Sequence, residues 1–270
     1  MNIFTTLLTQ PLTNGLILFY HIFGNNLGLA IIFFSLFLVF ILNPLTKPYM
    51  DSMKKMRELA PELEKLKSKH KGDKIKLAQA QADYYKEKGI NPGSGCIPYL
   101  LQIVVLIAFF NVFTKTLSNY ESPSTGFNTL LYEPLKFKEG DVINTKFLYL
   151  DVTKPDTFSL PSTSLKLPGP FLILAALLQL LSVKVTNPQL KTEEKVAEKS
   201  KGGTDDFQVA IQKSMTYTFP LITLFVGVRF PSGLALYWLV FSGMQVFRQV
   251  RSQGWGEVGT WLKKIKLVKS

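Results

Sequence analysis

The chain has 270 residues, of which 47% are hydrophobic and 19% charged, and its formal net charge is +12. A single cysteine excludes an internal disulfide framework, and the two histidines, His21 and His70, lie in unrelated contexts, so no metal site is expected. Apolar runs without charge alternate with charged segments, at 27–42, 96–113, 167–183, 215–228 and 233–247. This pattern predicts a polytopic helical membrane protein.

The distribution of cations predicts the orientation of the chain. Of the 31 Lys and Arg residues, 24 lie in the segments 45–95, 184–213 and 247–270. With five spans, these three segments share one side of the membrane. The positive-inside rule makes that side the cytoplasm, so we expect the N-terminus outside and the C-terminus inside.

Residues 1–26 contain no charged side chain and lack the basic region of a signal peptide. Pro11, Gly15 and the stretch 24–26 are expected to interrupt them. We therefore predict a short helix in the outer interface, and the competing interpretation is a sixth span with the N-terminus inside. The residues expected against lipid are Leu16, Phe19, Tyr20 and Phe23.

The first span is predicted at 27–45, ended by Pro44 and Pro48. Residues 46–95 then predict a soluble, cytoplasmic helical hairpin, because one apolar stripe runs along a charged helix. Pro61 is expected to kink or divide the first helix of this hairpin. The stripe consists of Met50, Met53, Met56, Leu59, Leu63 and Leu66.

The rest of the chain predicts four more spans and their connections. Residues 229–234 read as a tight outer turn, which makes the last two spans an antiparallel hairpin, and residues 146–152 look like a strand. The predicted segments are a second span at 96–114, an extracytoplasmic loop at 115–166, a third span at 167–184, a cytoplasmic loop at 185–213, a fourth span at 214–230, a fifth at 231–249 and a basic cytoplasmic tail at 250–270.

Every predicted span contains at least one polar side chain, which favours a shared wet cavity over five passive anchors. Packing between helices is the alternative role for these side chains, Gln102 in particular. The spans contain no Asp, Glu or Lys for a proton relay, and the chain shows no nucleophile–base pair or phosphate-binding loop. We therefore expect neither an enzyme nor a cofactor. The polar set is Ser35, Gln102, Gln179, Thr216, Ser242 and Gln245.

An ordered set of motifs resembles the YidC family of membrane protein insertases. The motifs are NPLTKP at 43–48, MKKMRELAPELEKL at 53–66, INPGSGC at 90–96, IPYLLQ at 97–102 and FPSGLALYW at 230–238. The resemblance implies an all-α protein of the bacterial plasma membrane, with five transmembrane helices, a cytoplasmic helical hairpin and a hydrophilic groove. The groove is open to cytoplasm and lipid, closed outside, and works without nucleotide hydrolysis.

The resemblance also assigns residues. It places Ser35, Gln102, Tyr237 and Trp238 in the groove, where they join Gln179 and Thr216. The family usually has an arginine where this chain has Val39, so we expect a groove close to neutral, wet enough for Val39→Arg to fold. Arg229 is a candidate outer charge, expected to snorkel to the outer interface. Candidate contacts to the ribosome or to lipid lie in the tail, at Lys263, Lys264, Lys266 and Lys269.

The function implied is insertion and folding of nascent membrane proteins. The alternative is a scaffold that assembles membrane subunits without inserting them, and a small-solute channel is disfavoured because the outer ends of the spans are apolar. Expected partners are nascent membrane proteins and membrane lipids, with the ribosome and the Sec translocon as candidates. No DNA partner is expected.

Overall fold

The computed structural model describes residues 3–70, 73–91, 97–116, 123–159, 166–186, 217–255 and 258–259. These residues are mostly helical. The main helices are α1 Gln10–Ile22, α2 Leu27–Glu58, α3 Ala60–Lys69, α4 Lys74–Glu87, α5 Ile97–Asn111, α6 Pro170–Thr186, α7 Tyr217–Gly227 and α8 Ser232–Gln253.

The chain divides into two compact units. The first unit comprises Met1–Leu42, Leu100–Gln179 and Pro220–Met244. The second comprises Asn43–Tyr99, Leu180–Phe219 and Gln245–Ser270. Helices α2, α6 and α8 each contribute residues to both units.

Four short strands lie in the segment predicted as an outer loop. β1 Lys146–Phe147 pairs with β2 Leu150–Asp151, and β3 Thr157–Ser159 pairs with β4 Lys166–Pro168, both antiparallel. The expected single strand at 146–152 is therefore a hairpin, in which Leu148 reverses the chain with a φ of +52°. β4 takes the first residues of the predicted third span, so that helix starts only at Pro170.

The N-terminal helix departs from expectation in two ways. Pro11 and Gly15 do not interrupt it: a π-helix at Thr5–Thr9 continues directly into α1, and Pro11 is the second residue of α1. Leu16 and Tyr20 are buried in the protein core instead of facing lipid. The reason is that α1 folds back against α2, where the ring of Phe34 lies over Gly15.

Helix α2 runs through both prolines that were expected to stop it. Pro44 and Pro48 lie inside the helix, which ends only at Glu58. A proline inside a helix removes one backbone hydrogen bond, which bends the helix but does not oblige it to end. The expected division at Pro61 is confirmed, because α3 begins at Ala60 with Pro61 in its first turn.

Among the described residues, only the helical stretch Leu27–Pro48 is both long and apolar enough to cross a membrane by itself. Shorter apolar helical stretches are found at Ile103–Thr114, Pro170–Val185 and Tyr217–Gly227. Length and composition alone therefore leave the count of five spans a prediction.

Aromatic and aliphatic side chains form the core of the first unit. Phe109 of α5 stacks on Tyr237 of α8, with ring centroids 4.6 Å apart. Two glycines permit close approach, since a Cβ on Gly233 would clash with Phe113 and one on Gly227 with Leu172. Close packing of these large apolar side chains gives many van der Waals contacts, which stabilise this unit.

The segment between α5 and α6 folds onto helix ends of the first unit, and we call its residues 123–159 and 166–168 the outer cap. Backbone bonds join Leu27 N to Asn144 O and Gly233 N to Val152 O, at 3.0 and 2.9 Å. The side chain of Asn14 donates to Leu130 O and accepts from Tyr132 N. The cap is thus attached to α1, α2 and α8.

Candidate functional site

A polar pair links two helices of the first unit. Thr223 of α7 is buried, and its hydroxyl donates to Oε1 of Gln179 on α6 at 2.9 Å. In an apolar environment a hydroxyl or an amide without a hydrogen-bond partner is costly. The bond pairs the hydroxyl of Thr223 with the amide oxygen of Gln179 and so links α7 to α6. Gln179 was predicted as a polar residue of its span. Thr223 is one of the threonines of the fourth predicted span, which were expected to offer hydrogen-bonding partners, although only Thr216 was named in the polar set.

Three predicted groove residues lie within the core of the first unit. Ser35 is fully buried, and its hydroxyl donates to the carbonyl of Ile31 in the preceding turn. Tyr237 and Trp238 are also buried, and the indole Nε1 of Trp238 has no hydrogen-bond partner. An unpaired buried N–H costs about 1–3 kcal/mol, so Trp238 offers a donor that a polar group could use.

Val39 is 4% exposed. A guanidinium at this position would displace packed groups instead of meeting water. The expectation that a wet cavity would hydrate an arginine there is therefore not supported by the burial. Arg229 is exposed just beyond the end of α7, a position compatible with the expected snorkelling.

The second unit contains a cluster of polar side chains at the C-terminal end of α8. The terminal nitrogens of Arg248 donate to Thr46 Oγ1 at 3.3 Å and to Gln245 Oε1 at 3.0 Å. Ser182 of α6 donates to Oε1 of Gln249 at 2.8 Å, and both residues are buried. We call these five residues the inner polar cluster. It links α2 to α8 and α6 to α8 by side-chain hydrogen bonds.

Of this cluster, only Gln245 was predicted from the sequence. Arg248 was counted with the cytoplasmic charges of 247–270, although it also lies within the predicted fifth span, 231–249. The sequence does contain a signal: Ser242, Gln245 and Gln249 recur at three- and four-residue spacing, as one polar stripe on a helix that continues past them. Thr46 and Ser182 have no comparable signal.

Two titratable groups of the outer cap have shifted pKa values. Burial and the hydrogen bond to Asp156 raise the pKa of Tyr149 well above its usual range. For Asp151, burial is the largest single influence and raises the pKa. Hydrogen bonds from Thr153 and the charge of Lys154 outweigh it, so the net shift is downward.

The helices α3 and α4 of the second unit pack together. The hydroxyl of Tyr84 donates to a carboxylate oxygen of Glu62, which raises the pKa of Tyr84 to about 12. Leu63, which belongs to the predicted apolar stripe, is buried, and so is Ile90, whereas Ile75 of α4 is exposed.

Several predicted residues lie outside the described part of the chain. These are the side chain of Gln102 together with Thr216, Lys263, Lys264, Lys266 and Lys269. Among the described residues, no group of His, Cys, Asp and Glu is arranged to hold a metal ion.

Comparison with known proteins identifies the family. Residues 18–254 match the family model described as "60Kd inner membrane protein", which covers most of the chain. The chain belongs to this family. It is 30% identical to "Membrane protein insertase YidC" of Fusobacterium nucleatum over 225 residues, which are 83% of this chain and 85% of the relative.

Two further relatives extend this result. The chain is 31% identical to "Membrane protein insertase YidC 1" of Streptococcus agalactiae over 84% of its own length and 67% of the relative. It is 30% identical to "Membrane protein insertase YidC" of Caulobacter vibrioides over 89% of its own length, but only 35% of that longer relative. These matches confirm the resemblance to the YidC family. As a member of an inner membrane protein family, the chain is a protein of the bacterial plasma membrane.

Proposed function

We propose that this chain is a membrane protein insertase that moves nascent membrane segments into the bilayer and assists their folding. The observation that carries the proposal is the presence of hydrogen-bonding side chains buried between otherwise apolar helices, in a chain whose relatives are named insertases. A polar segment crossing lipid costs several kcal/mol per unpaired group, and such side chains reduce that cost.

Insertion makes and breaks no covalent bond, so the chain is not an enzyme. Burial of the apolar surface of the substrate, worth about 0.8 kcal/mol per CH₂ group, supplies the driving force. We propose that no nucleotide or cofactor takes part.

We propose that the polar path is formed by Ser35, Gln102, Gln179, Thr216, Tyr237 and Trp238. The unpaired indole N–H of Trp238 supports this assignment, because it can donate to the backbone of a substrate. Ser35 and Tyr237 are buried, so the path requires helices to separate when a substrate enters.

We further propose five spans, with the N-terminus outside and the α3–α4 pair in the cytoplasm. The bonds between Asn14 and the backbone of the outer cap support an interfacial α1 over a sixth span, since they join the middle of this helix to the cap. Nascent membrane proteins are the substrates, and the ribosome and the Sec translocon are candidate partners through the basic tail and the α3–α4 pair.

Reconstitution tests the proposal. Purified protein in liposomes should raise the insertion of a single-span substrate above the level in empty liposomes, measured by protease protection of the translocated end. Gln179→Leu should lower insertion while the thermal stability falls by no more than about 0.6 kcal/mol, the mean strength of such bonds in membranes. Leu177→Ile, at an exposed position of the same helix, is the matched control.

Binding of substrate without any gain in insertion would contradict the insertase function and favour a scaffold. A Gln179→Leu protein that inserts as well as the wild type would remove Gln179 from the path.

A further inference from the structure

Arg248 has a positive charge without a carboxylate partner among the described residues, whose ion pairs all lie elsewhere. Both of its hydrogen-bond acceptors, Thr46 and Gln245, are neutral, and its Nε is buried without a partner. Withdrawing a guanidinium from water is costly unless a negative charge compensates it. The site therefore favours an anion.

The position along the helices indicates which anion can reach it. Arg248 lies 16 residues from Ser232, the first residue of α8, which is about 24 Å at 1.5 Å per residue. Thr46 lies 19 residues from Leu27, the first residue of α2, or about 28 Å. With a hydrocarbon core roughly 30 Å thick, both side chains reach the headgroups of the inner leaflet in the proposed orientation.

The neighbouring side chains match a phospholipid. Leu45 and Phe247, adjacent in sequence to Thr46 and Arg248, are 53% and 55% exposed and can contact acyl chains. Lys47 is also exposed and adds positive charge at the headgroup level. A carboxylate of a substrate segment would explain the cation, but it would not explain the exposed apolar side chains beside it.

We infer that Arg248, Thr46 and Gln245 form a binding site for the phosphate of an anionic phospholipid of the inner leaflet, held between α2 and α8. Each terminal nitrogen of Arg248 has two hydrogens and can donate to a phosphate oxygen while it keeps its present bond. Basic pockets between membrane helices on the cytoplasmic side are suited to acidic headgroups. The inference rests on the orientation given under the proposed function, but it requires no insertion activity.

Retention of lipid by the full chain tests the site. The protein is purified from nanodiscs of phosphatidylcholine with a minor fraction of phosphatidylglycerol, and native mass spectrometry counts the lipids retained. The wild type should retain one phosphatidylglycerol molecule. Arg248→Gln should bind this lipid about fivefold more weakly, because one cation at a membrane surface contributes an attraction of that size. Arg251→Gln is the matched control: it removes the same charge from an exposed position of the same helix and should retain the lipid.

Two variants keep the test decisive if Arg248→Gln fails to fold. Arg248→Lys keeps the charge and should retain the lipid, and Thr46→Val should bind it more weakly while Arg248 stays in place. Normal retention in Thr46→Val, or loss of retention in Arg248→Lys, would overturn the site as described.

Other results would identify a different occupant. Equal retention by Arg248→Gln and the wild type overturns the inference, and so does equal loss in Arg251→Gln, which would indicate general attraction to the membrane. Release by millimolar inorganic phosphate would indicate a free anion, and release by an acidic peptide would indicate a substrate carboxylate. The lipid experiment contains no substrate, so loss of the proposed lipid site would leave the insertase function untouched. Conversely, a protein that retains the lipid but inserts no substrate would contradict only the insertase function.

Discussion

At the scale of single residues, Asp156 joins the outer cap to α6. Asp156 is 2% exposed; Oδ2 accepts from the backbone N–H of Leu172 at 3.1 Å, and Oδ1 accepts from the hydroxyl of Tyr149 at 3.0 Å. Leu172 is the third residue of α6, so the side chain of Asp156 caps this helix from 14 positions before its first residue, Pro170. The residue directly before the helix is a glycine, which has no side chain to form a cap. That residue, Gly169, is required, because any Cβ there would collide with the carboxylate of Asp156.

Asp156→Ala should therefore destabilise the protein by about 1 kcal/mol, the usual effect of removing an N-cap. Asp156→Asn keeps an acceptor oxygen and should lose less. Thermal unfolding of the purified protein in nanodiscs measures both, with Glu139→Ala at an exposed position of the cap as the control. An Asp156→Ala protein as stable as that control would show that the cap does not hold the start of α6.

At the scale of secondary structure elements, the second unit offers a contact that depends on pH. The hydroxyl of Tyr84 on α4 donates to Glu62 on α3, and ionising the tyrosine would place two negative charges together. The pKa of Tyr84 is raised to about 12, from an ordinary value near 10. This contact therefore stabilises the pair fully below pH 10 and is lost as the pH rises through about 12.

Tyr84→Phe should loosen the α3–α4 pair at every pH, whereas the wild type should loosen only above about pH 11. Spin labels at Lys65→Cys and Gln79→Cys, in a Cys96→Ser background, report the separation of the two helices by electron paramagnetic resonance. Ile75→Ala, at an exposed position, should leave the distance distribution unchanged. A Tyr84→Phe distribution as narrow as that of the wild type at pH 8 would show that the hydrogen bond does not hold the pair.

The elements also show how far the sequence could lead. The apolar runs of the sequence predicted the positions of α2, α5, α6, α7 and α8. Each run is a stretch of apolar side chains that is stable as a helix in lipid or in a protein core. The expected end of α2 was wrong, since the helix continues through Pro44 and Pro48 to Glu58. Helix α8 likewise continues beyond the predicted fifth span, to Gln253. Arg248 was counted as a cytoplasmic charge and not as a polar side chain of the span, so the inner polar cluster was not predicted.

The site was less predictable than the helices. Polarity within an apolar run identified Ser35, Gln179 and Gln245, but it does not tell whether a side chain bonds to its own helix, as Ser35 does, or to a neighbour, as Gln179 does. Several contacts of the outer cap join residues more than 80 positions apart, such as Val152 and Gly233. No local pattern contains that information.

At the scale of the whole molecule, charge and structure together support a single orientation. The segments rich in cations connect to the C-terminal ends of α2, α6 and α8, while the outer cap contacts the start of α2, α6 and α8. In the proposed five-span arrangement these three helices run in the same direction, so we expect the cap and the cations on opposite sides of the membrane. Under the positive-inside rule the cap side would then be extracytoplasmic.

Cysteine labelling in intact cells tests this orientation. In a Cys96→Ser background, Val142→Cys in the cap should react with a membrane-impermeant maleimide, because its side chain is exposed and outside. Ile75→Cys on α4 is equally accessible in the protein but should react only after the membrane is permeabilised. Ile3→Cys separates the two interpretations of the N-terminus, since an interfacial α1 leaves it reactive from outside and a sixth span makes it reactive only from within. Labelling of Ile75→Cys in intact cells, or protection of Val142→Cys, would reverse the orientation and with it the leaflet assigned to the phospholipid at Arg248.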